Sequence, residues 1–204
     1  MLENSILNKI ENHVNELFQK RSAAENIYHD ILHTTEVVKV AAKIAEAENI
    51  TAKETEIVLI AAWFHDIGYF HCCKGHEDQS SEYARDFLEK EKYPIEKIVI
   101  IMDCIKATQI PHSPNSKLEE IMCDADLHHL GMCDVEERGD MLRKEFELKG
   151  IKKLSDIEWL KTSLDFFNKH KYFTEYAKKN FGTQKDLHMI KMKQQIEKLE
   201  KNNN

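Results

Sequence analysis

Eight apolar residues run without a break from Ile57 to Phe64, and the next two residues are His65 and Asp66. A segment that is apolar on every side offers no face to water, so it must lie at the centre of a fold. A run this short also fits a buried strand. Thr51-Ala-Lys-Glu54, just before it, has the form of a capping box, in which a hydroxyl and a carboxylate satisfy each other's backbone N–H groups, and this favours a helix. Gly68 stands where the stop signal of that helix belongs.

The rest of the chain repeats the helical period. Leu2, Ile6, Ile10, Val14 and Leu17 recur at steps of three or four, as do Val37, Val38, Ala41, Ala42, Ile44 and Ala45. Further helices are expected over 76–91, over 95–105 after Pro94, and over 117–130, 134–149, 155–170 and 173–181, with a loop at 107–116. A polar segment from 185 carries Leu187, Ile190, Ile196 and Leu199, and the last asparagines should fray. The expectation is an all-α, single-domain bundle over 1–184, followed by a C-terminal helical arm over 185–204.

Composition narrows the function classes. The 204 residues are 42% hydrophobic and 32% charged, enough for one core and a solvated surface. A net charge of −7 is a poor match to a nucleic-acid backbone. No apolar run approaches the ~20 residues of a membrane helix. Five cysteines form no CxxC pair, and the opening segment is amphipathic rather than a secretory leader, so a reduced, cytoplasmic location is expected.

The polar residues at helix ends carry the chemistry. A buried aspartate needs a compensating partner, and an adjacent His65-Asp66 at the end of the most apolar helix points to a cation. Taken alone, the pair could equally cap a neighbouring helix and bond a carbonyl. His33 opens another amphipathic helix, and Asp124 and Asp126 lie near the end of a third, each with apolar residues behind it. Imidazoles and carboxylates together suit Mn, Fe, Zn, Co or Ni, with Mg where oxygen dominates.

The order His33, His65-Asp66, Asp126 resembles the H…HD…D signature of HD-domain metal-dependent phosphohydrolases. The flanking text HTTEVV, AAWFHDIGY, HEDQSSEYARDFL and DADLHHLG carries the resemblance over about residues 25–150. It is nearest to a bacterial subgroup known only as predicted HD-superfamily phosphohydrolases. The resemblance implies a helical HD bundle with a metal site in its core, held by His33, His65, Asp66 and Asp126, with His65 and Asp66 also catalytic. Asp124 is the alternative to Asp126 as ligand, or an outer partner that orients a ligand. His29 is expected as an outer or pocket residue. Relatives with two metals resemble H…HD…H…H…D, and His76 and His112 stand at the intermediate places, either as ligands of a second ion bridged by Asp66 or as phosphate contacts. Lys74, Lys106 and Arg143 are candidate phosphate-binding cations, with a solvated charge as the plain alternative.

The implied reaction is hydrolysis of a nucleotide or related small phosphoester by metal-activated water, with one metal or two, and with a homo-oligomer open. HDIGYF departs from the HDxxED of guanosine tetraphosphate hydrolases. No GYP element of the cyclic-di-GMP phosphodiesterase type follows, and Tyr69 stands where a nucleotidase type has Glu. Two rivals share the scaffold: a di-iron oxygenase, and a non-catalytic nucleotide-binding or sensor module.

Overall fold

The computed structural model describes residues 5–21, 25–71 and 73–202, and among these it contains helices and no strand. Helix α1 (Ile6–Arg21) buries Ile10, Val14, Leu17 and Phe18 along one stripe; Leu2 lies outside the described residues. Helix α2 (Ile31–Ala47) opens on Asp30, whose carboxylate accepts the His33 backbone N–H at 2.8 Å, a cap that fixes where the helix begins. Helix α3 (Ala52–Phe64) opens on the expected capping box, with Glu54 N–H donating to the Thr51 hydroxyl and Thr51 N–H donating to the Glu54 carboxylate.

Helix α3 is the centre of the molecule. It packs against α1 and α2, against α4 (His76–Lys90) and α5 (Ile95–Lys106), and against α6 (Lys117–Asp126). Ile57, Val58, Ile60, Ala61, Ala62, Trp63 and Phe64 are all buried. The surrounding stripes close over them in one core: Val37, Ala41 and Ile44 from α2, Ala84 and Leu88 from α4, Ile98, Ile101 and Ile105 from α5, and Ile121 and Met122 from α6.

Two breaks differ from the sequence reading. Helix α3 stops at Phe64, and a 3-10 turn follows at Ile67–Phe70. Gly68 lies inside that turn because of crowding, not as a left-handed stop. A Cβ there would stand 2.1 Å from the His76 carbonyl oxygen and 2.8 Å from the Ser80 nitrogen. The expected helix over 117–130 ends at Asp126 and tightens into a 3-10 turn over Leu127–Gly131. Gly131 has the same reason as Gly68, since the backbone of Phe181 passes where its side chain would be.

The remaining helices are α7 (Val135–Leu148), α8 (Asp156–Lys169) and α9 (Glu175–Asn202). The C-terminal arm is α9. It runs unbroken where the sequence suggested a pause near 182–184, and it lies along α8 and the 127–131 turn. Its buried stripe is Ala177, Phe181, Lys185, His188 and Ile196. Two members of that stripe are polar, which is why the apolar period looks interrupted in the sequence.

Candidate metal centre

The helix ends deliver four side chains to one buried point. His33 comes from the first turn of α2, His65 and Asp66 follow the end of α3, and Asp126 is the last residue of α6. His65 is fully buried, and His33 and Asp66 nearly so. The His33 Nε2 atom lies 3.4 Å from Asp66 Oδ2 and 3.4 Å from Asp126 Oδ1. The His65 Nε2 atom lies 3.1 Å from Asp66 Oδ2, 3.5 Å from Asp126 Oδ1 and 3.4 Å from His33 Nε2.

These separations fit a coordination polyhedron better than a hydrogen-bonded cluster. Charge-assisted N–H···O bonds settle at about 2.7–2.9 Å. Donors held about 2.1 Å from a common ion instead stand roughly 3.0–3.4 Å apart. The Asp66 Oδ2 atom is buried and has no hydrogen-bond partner, an expensive state for a carboxylate oxygen unless something else meets it. His33, His65 and Asp66 thus form a cluster that could hold a metal ion. Two imidazole nitrogens and two carboxylate oxygens suit a borderline divalent cation.

Second contacts aim the rings. The His65 Nδ1–H donates to the Ala62 carbonyl at 2.8 Å, which leaves Nε2 as the free lone pair facing the cluster. His76 repeats the device, with Nδ1–H on the Cys73 carbonyl at 3.1 Å and Nε2 at 3.3 Å from Asp66 Oδ1. Asp66 therefore turns one oxygen to His33 and His65 and the other to His76. The His33 Nδ1 is buried without a partner.

The charges are arranged to hold a proton or a cation. Burial works against ionisation at every group here, yet the carboxylates of Asp126 and Asp66 outweigh it and raise the His33 imidazole to about 9. The same attraction raises His65 and holds both carboxylates well below their usual range. A divalent cation would compete with those protons for the same lone pairs.

Other expected residues fall elsewhere. Asp124 is fully buried but turned away. It accepts from the backbone N–H of Phe173 and Thr174 and from the Thr174 hydroxyl, so it caps the entry to α9. Burial lifts it to about 6 despite those donors. The Arg143 guanidinium is taken by Asp156 at 2.8 Å and by the Leu154 carbonyl, and it ties α7 to the approach of α8. Two of the five N–H donors of this fork are thus used within the fold. Lys74 and Lys106 are exposed. His112 is half-buried, with Nε2–H on the Thr108 carbonyl at 3.2 Å, and no polar contact among the described residues joins it to the four. Cys72 lies outside the described residues, and Cys73 is a free thiol.

The wall of the centre includes residues that sequence reasoning missed. His29 bonds the Glu145 carboxylate through Nδ1, and that carboxylate also accepts the N–H groups of Tyr28 and His29. Glu145 is fully buried on α7, and it pins the segment leading into α2. The Tyr69 ring stacks on His29 at 3.8 Å, with the Lys149 ammonium 4.1 Å from its outer face. The Tyr28 hydroxyl meets His129 while its ring lies 5.0 Å from that of His33. Glu145 sits on a helix of ordinary surface pattern, and nothing local in the sequence marks it. His29 stands in the wall, as an outer or pocket residue should, and its neighbour Tyr28 was the available signal for the ring beside it.

The HD domain family model matches residues 30–131, half of the chain and the span that carries all four side chains. The chain belongs to the HD-domain family. No curated protein matches it. Among solved structures, a predicted HD superfamily hydrolase from an uncultured Thermotogales bacterium is similar, with 21% identity and a TM-score of 0.65. The alignment covers 97% of this chain and 96% of that one, so the likeness of fold reaches beyond the span that the family model matches.

Proposed function

We propose that this HD-domain protein is a metal-dependent phosphohydrolase acting on a nucleotide or a related small phosphoester. The observation that carries the reading is the unpartnered Asp66 oxygen in a buried cluster with His33 and His65, beside the half-buried Asp126 carboxylate. His33, His65, Asp66 and Asp126 would hold the cation. When bound, a divalent cation supplies Lewis acidity toward a phosphoryl oxygen and makes water a better nucleophile near neutral pH.

The chain's own groups do the rest. The Ala62 carbonyl keeps the His65 lone pair aimed inward. Asp66 holds the centre with one oxygen and His76 with the other. His76 stands where an N–H could offset charge on a phosphoryl oxygen or, with its lone pair turned to Asp66's partner ion, where a second cation could sit. The divided Asp66 carboxylate is the specific observation that keeps the two-metal form open. His29, locked by Glu145 and stacked on Tyr69, closes one wall against water.

The test is phosphate release from a panel of nucleoside mono-, di- and triphosphates and of phosphodiesters, with Mn, Co, Ni, Zn or Mg added to the metal-stripped chain. Turnover that depends on the metal and disappears in Asp66→Ala supports the reading. A panel with no turnover, or with equal turnover in Asp66→Ala, rejects it. The class of ester cleaved separates monoesterase from diesterase.

A further inference from the structure

His29 is held more firmly than a wall residue needs. Its Nδ1 bonds the Oε1 atom of Glu145, a side chain of α7 that is fully buried. The backbone N–H groups of Tyr28 and His29 donate to the other oxygen, Oε2, at 2.8 and 3.1 Å. Those two bonds already tie α7 to the segment before α2, so the tie does not need an imidazole. Tyr69 fixes the ring a second time, stacked on it at 3.8 Å and 18°. The ring also stands edge-to-face with His33, at 6.2 Å between centroids, and with His76, at 6.0 Å. Those two imidazoles turn Nε2 to Asp66, one to each of its oxygens. His29 is thus in the layer of rings that surrounds the Asp66 carboxylate.

The free atom of this ring is Nε2. Burial would neutralise Glu145, but the His29 ring and the two N–H groups keep it ionised, and an ionised carboxylate only accepts. Nδ1 therefore carries its hydrogen, and Nε2 is left to take or give a proton. No hydrogen bond of Nε2 occurs among the described residues, and 13% of the side chain is exposed, enough for exchange with solvent. A buried carboxylate that orients an imidazole, whose second nitrogen is free beside a reacting centre, is the arrangement that moves protons in acid–base catalysis.

We propose that His29 is the proton donor to the leaving oxygen of the substrate, with Glu145 as its positioning residue. The role rests on the phosphohydrolase reading. The oxygen of the attacking water bonds phosphorus as the bond from phosphorus to the leaving oxygen breaks. The electron pair of that bond stays on the leaving oxygen, which takes the Nε2 proton and departs as a neutral hydroxyl. The water loses one proton to solvent, and solvent returns one to Nε2. Glu145 lies on α7, after the matched HD span of 30–131, so the segment beyond that span would take part in the chemistry through His29.

The experiment takes the ester that the full wild-type chain cleaves best with Mn(II) in the phosphate-release panel, and the same ester with sulfur in place of the leaving oxygen. A thiolate departs without a proton, so loss of the donor costs little on the sulfur ester. His29→Gln should lose about 100-fold or more in kcat on the oxygen ester and less than about tenfold on the sulfur ester, with KM near wild type. His29→Asn should repeat the pattern, and Glu145→Gln should show it with a smaller gap. Mn(II) affinity by titration calorimetry should stay near wild type in the His29 variants. An equal loss on both esters, or an unchanged kcat on the oxygen ester, overturns the proton donor and leaves the phosphohydrolase reading standing. A fall in Mn(II) affinity that matches the loss of kcat also overturns it, and makes His29 a support of the metal ligands. No turnover of any ester by wild type rejects the phosphohydrolase reading, and the donor with it.

Discussion

Asp66 serves two directions with its two oxygens, and its neighbours are fixed so that it can. Outer partners of metal ligands alone change affinity by about 10–100-fold when removed. Asp66→Asn, which keeps the shape and deletes the charge, should therefore weaken Mn binding by more than that, as read by titration calorimetry. Unchanged affinity would place the ion elsewhere. Glu145 is the other carboxylate with a defined task. Burial pushes it up, but the His29 ring and the N–H groups of Tyr28 and His29 prevail and hold it at about 2, below its ordinary 4.5. A depressed carboxylate contributes stability that is present above its unfolded value and lost as pH falls through the folded one. Glu145→Gln should be less stable than wild type at neutral pH, and the gap should shrink as pH drops from 4.5 toward 2. Urea denaturation at stepped pH measures it, and a gap that widens on acidification would contradict the assignment. At this scale the His-Asp doublet was legible because His33, Asp124 and Asp126 stand at other helix ends with apolar residues behind them, whereas the doublet alone could equally be a cap. Glu145 was not, because its meaning lies in a partner far away in the chain.

Each element end is set by a local device, and those devices place the centre. Asp30 starts α2 one residue short of Ile31, so that His33 falls in its first turn. The tight packing of Gly68 against α4 holds the turn after Asp66 against His76. Gly68→Ala should force that turn off α4, lowering both the melting midpoint and the metal affinity; a variant with wild-type values for both would show that the close approach is not needed. Asp124 belongs to this scale as well. Asp124→Ala strips the acceptor from two backbone N–H groups and a hydroxyl at the start of α9. At about 1–3 kcal/mol for a buried donor left unmet, it should lose a few kcal/mol of stability. Its Mn affinity should stay near wild type, whereas a role behind the metal would lower both. Helix identity was readable from apolar spacing and the Thr51–Glu54 box. The ends of α3 and α6 were not, because a 3-10 turn keeps the apolar period going for a few residues past the last α-helical bond.

Over the whole molecule, the centre joins three helices that the core already packs: α2, α3 and α6. A cation bound there should stabilise the native state by mass action, about 2.7 kcal/mol at a concentration 100 times its dissociation constant. For a chain of this size that is a rise of about 5–10 °C in melting midpoint. Scanning calorimetry with and without a chelator would show it, and the rise should vanish in Asp66→Asn. The all-α bundle was legible as a whole from period and composition. The path of α9 was less so, because Lys185 and His188 occupy buried positions where apolar residues would have shown the stripe. Four residues spread from α2 to α6 should share one divalent cation. A crystal grown with Mn(II) and examined by anomalous diffraction tests it most directly. A peak is expected about 2.0–2.6 Å from His33 Nε2, His65 Nε2, Asp66 Oδ2 and Asp126 Oδ1. A cluster with no peak at saturating Mn(II), or a peak bound by other side chains, would contradict it.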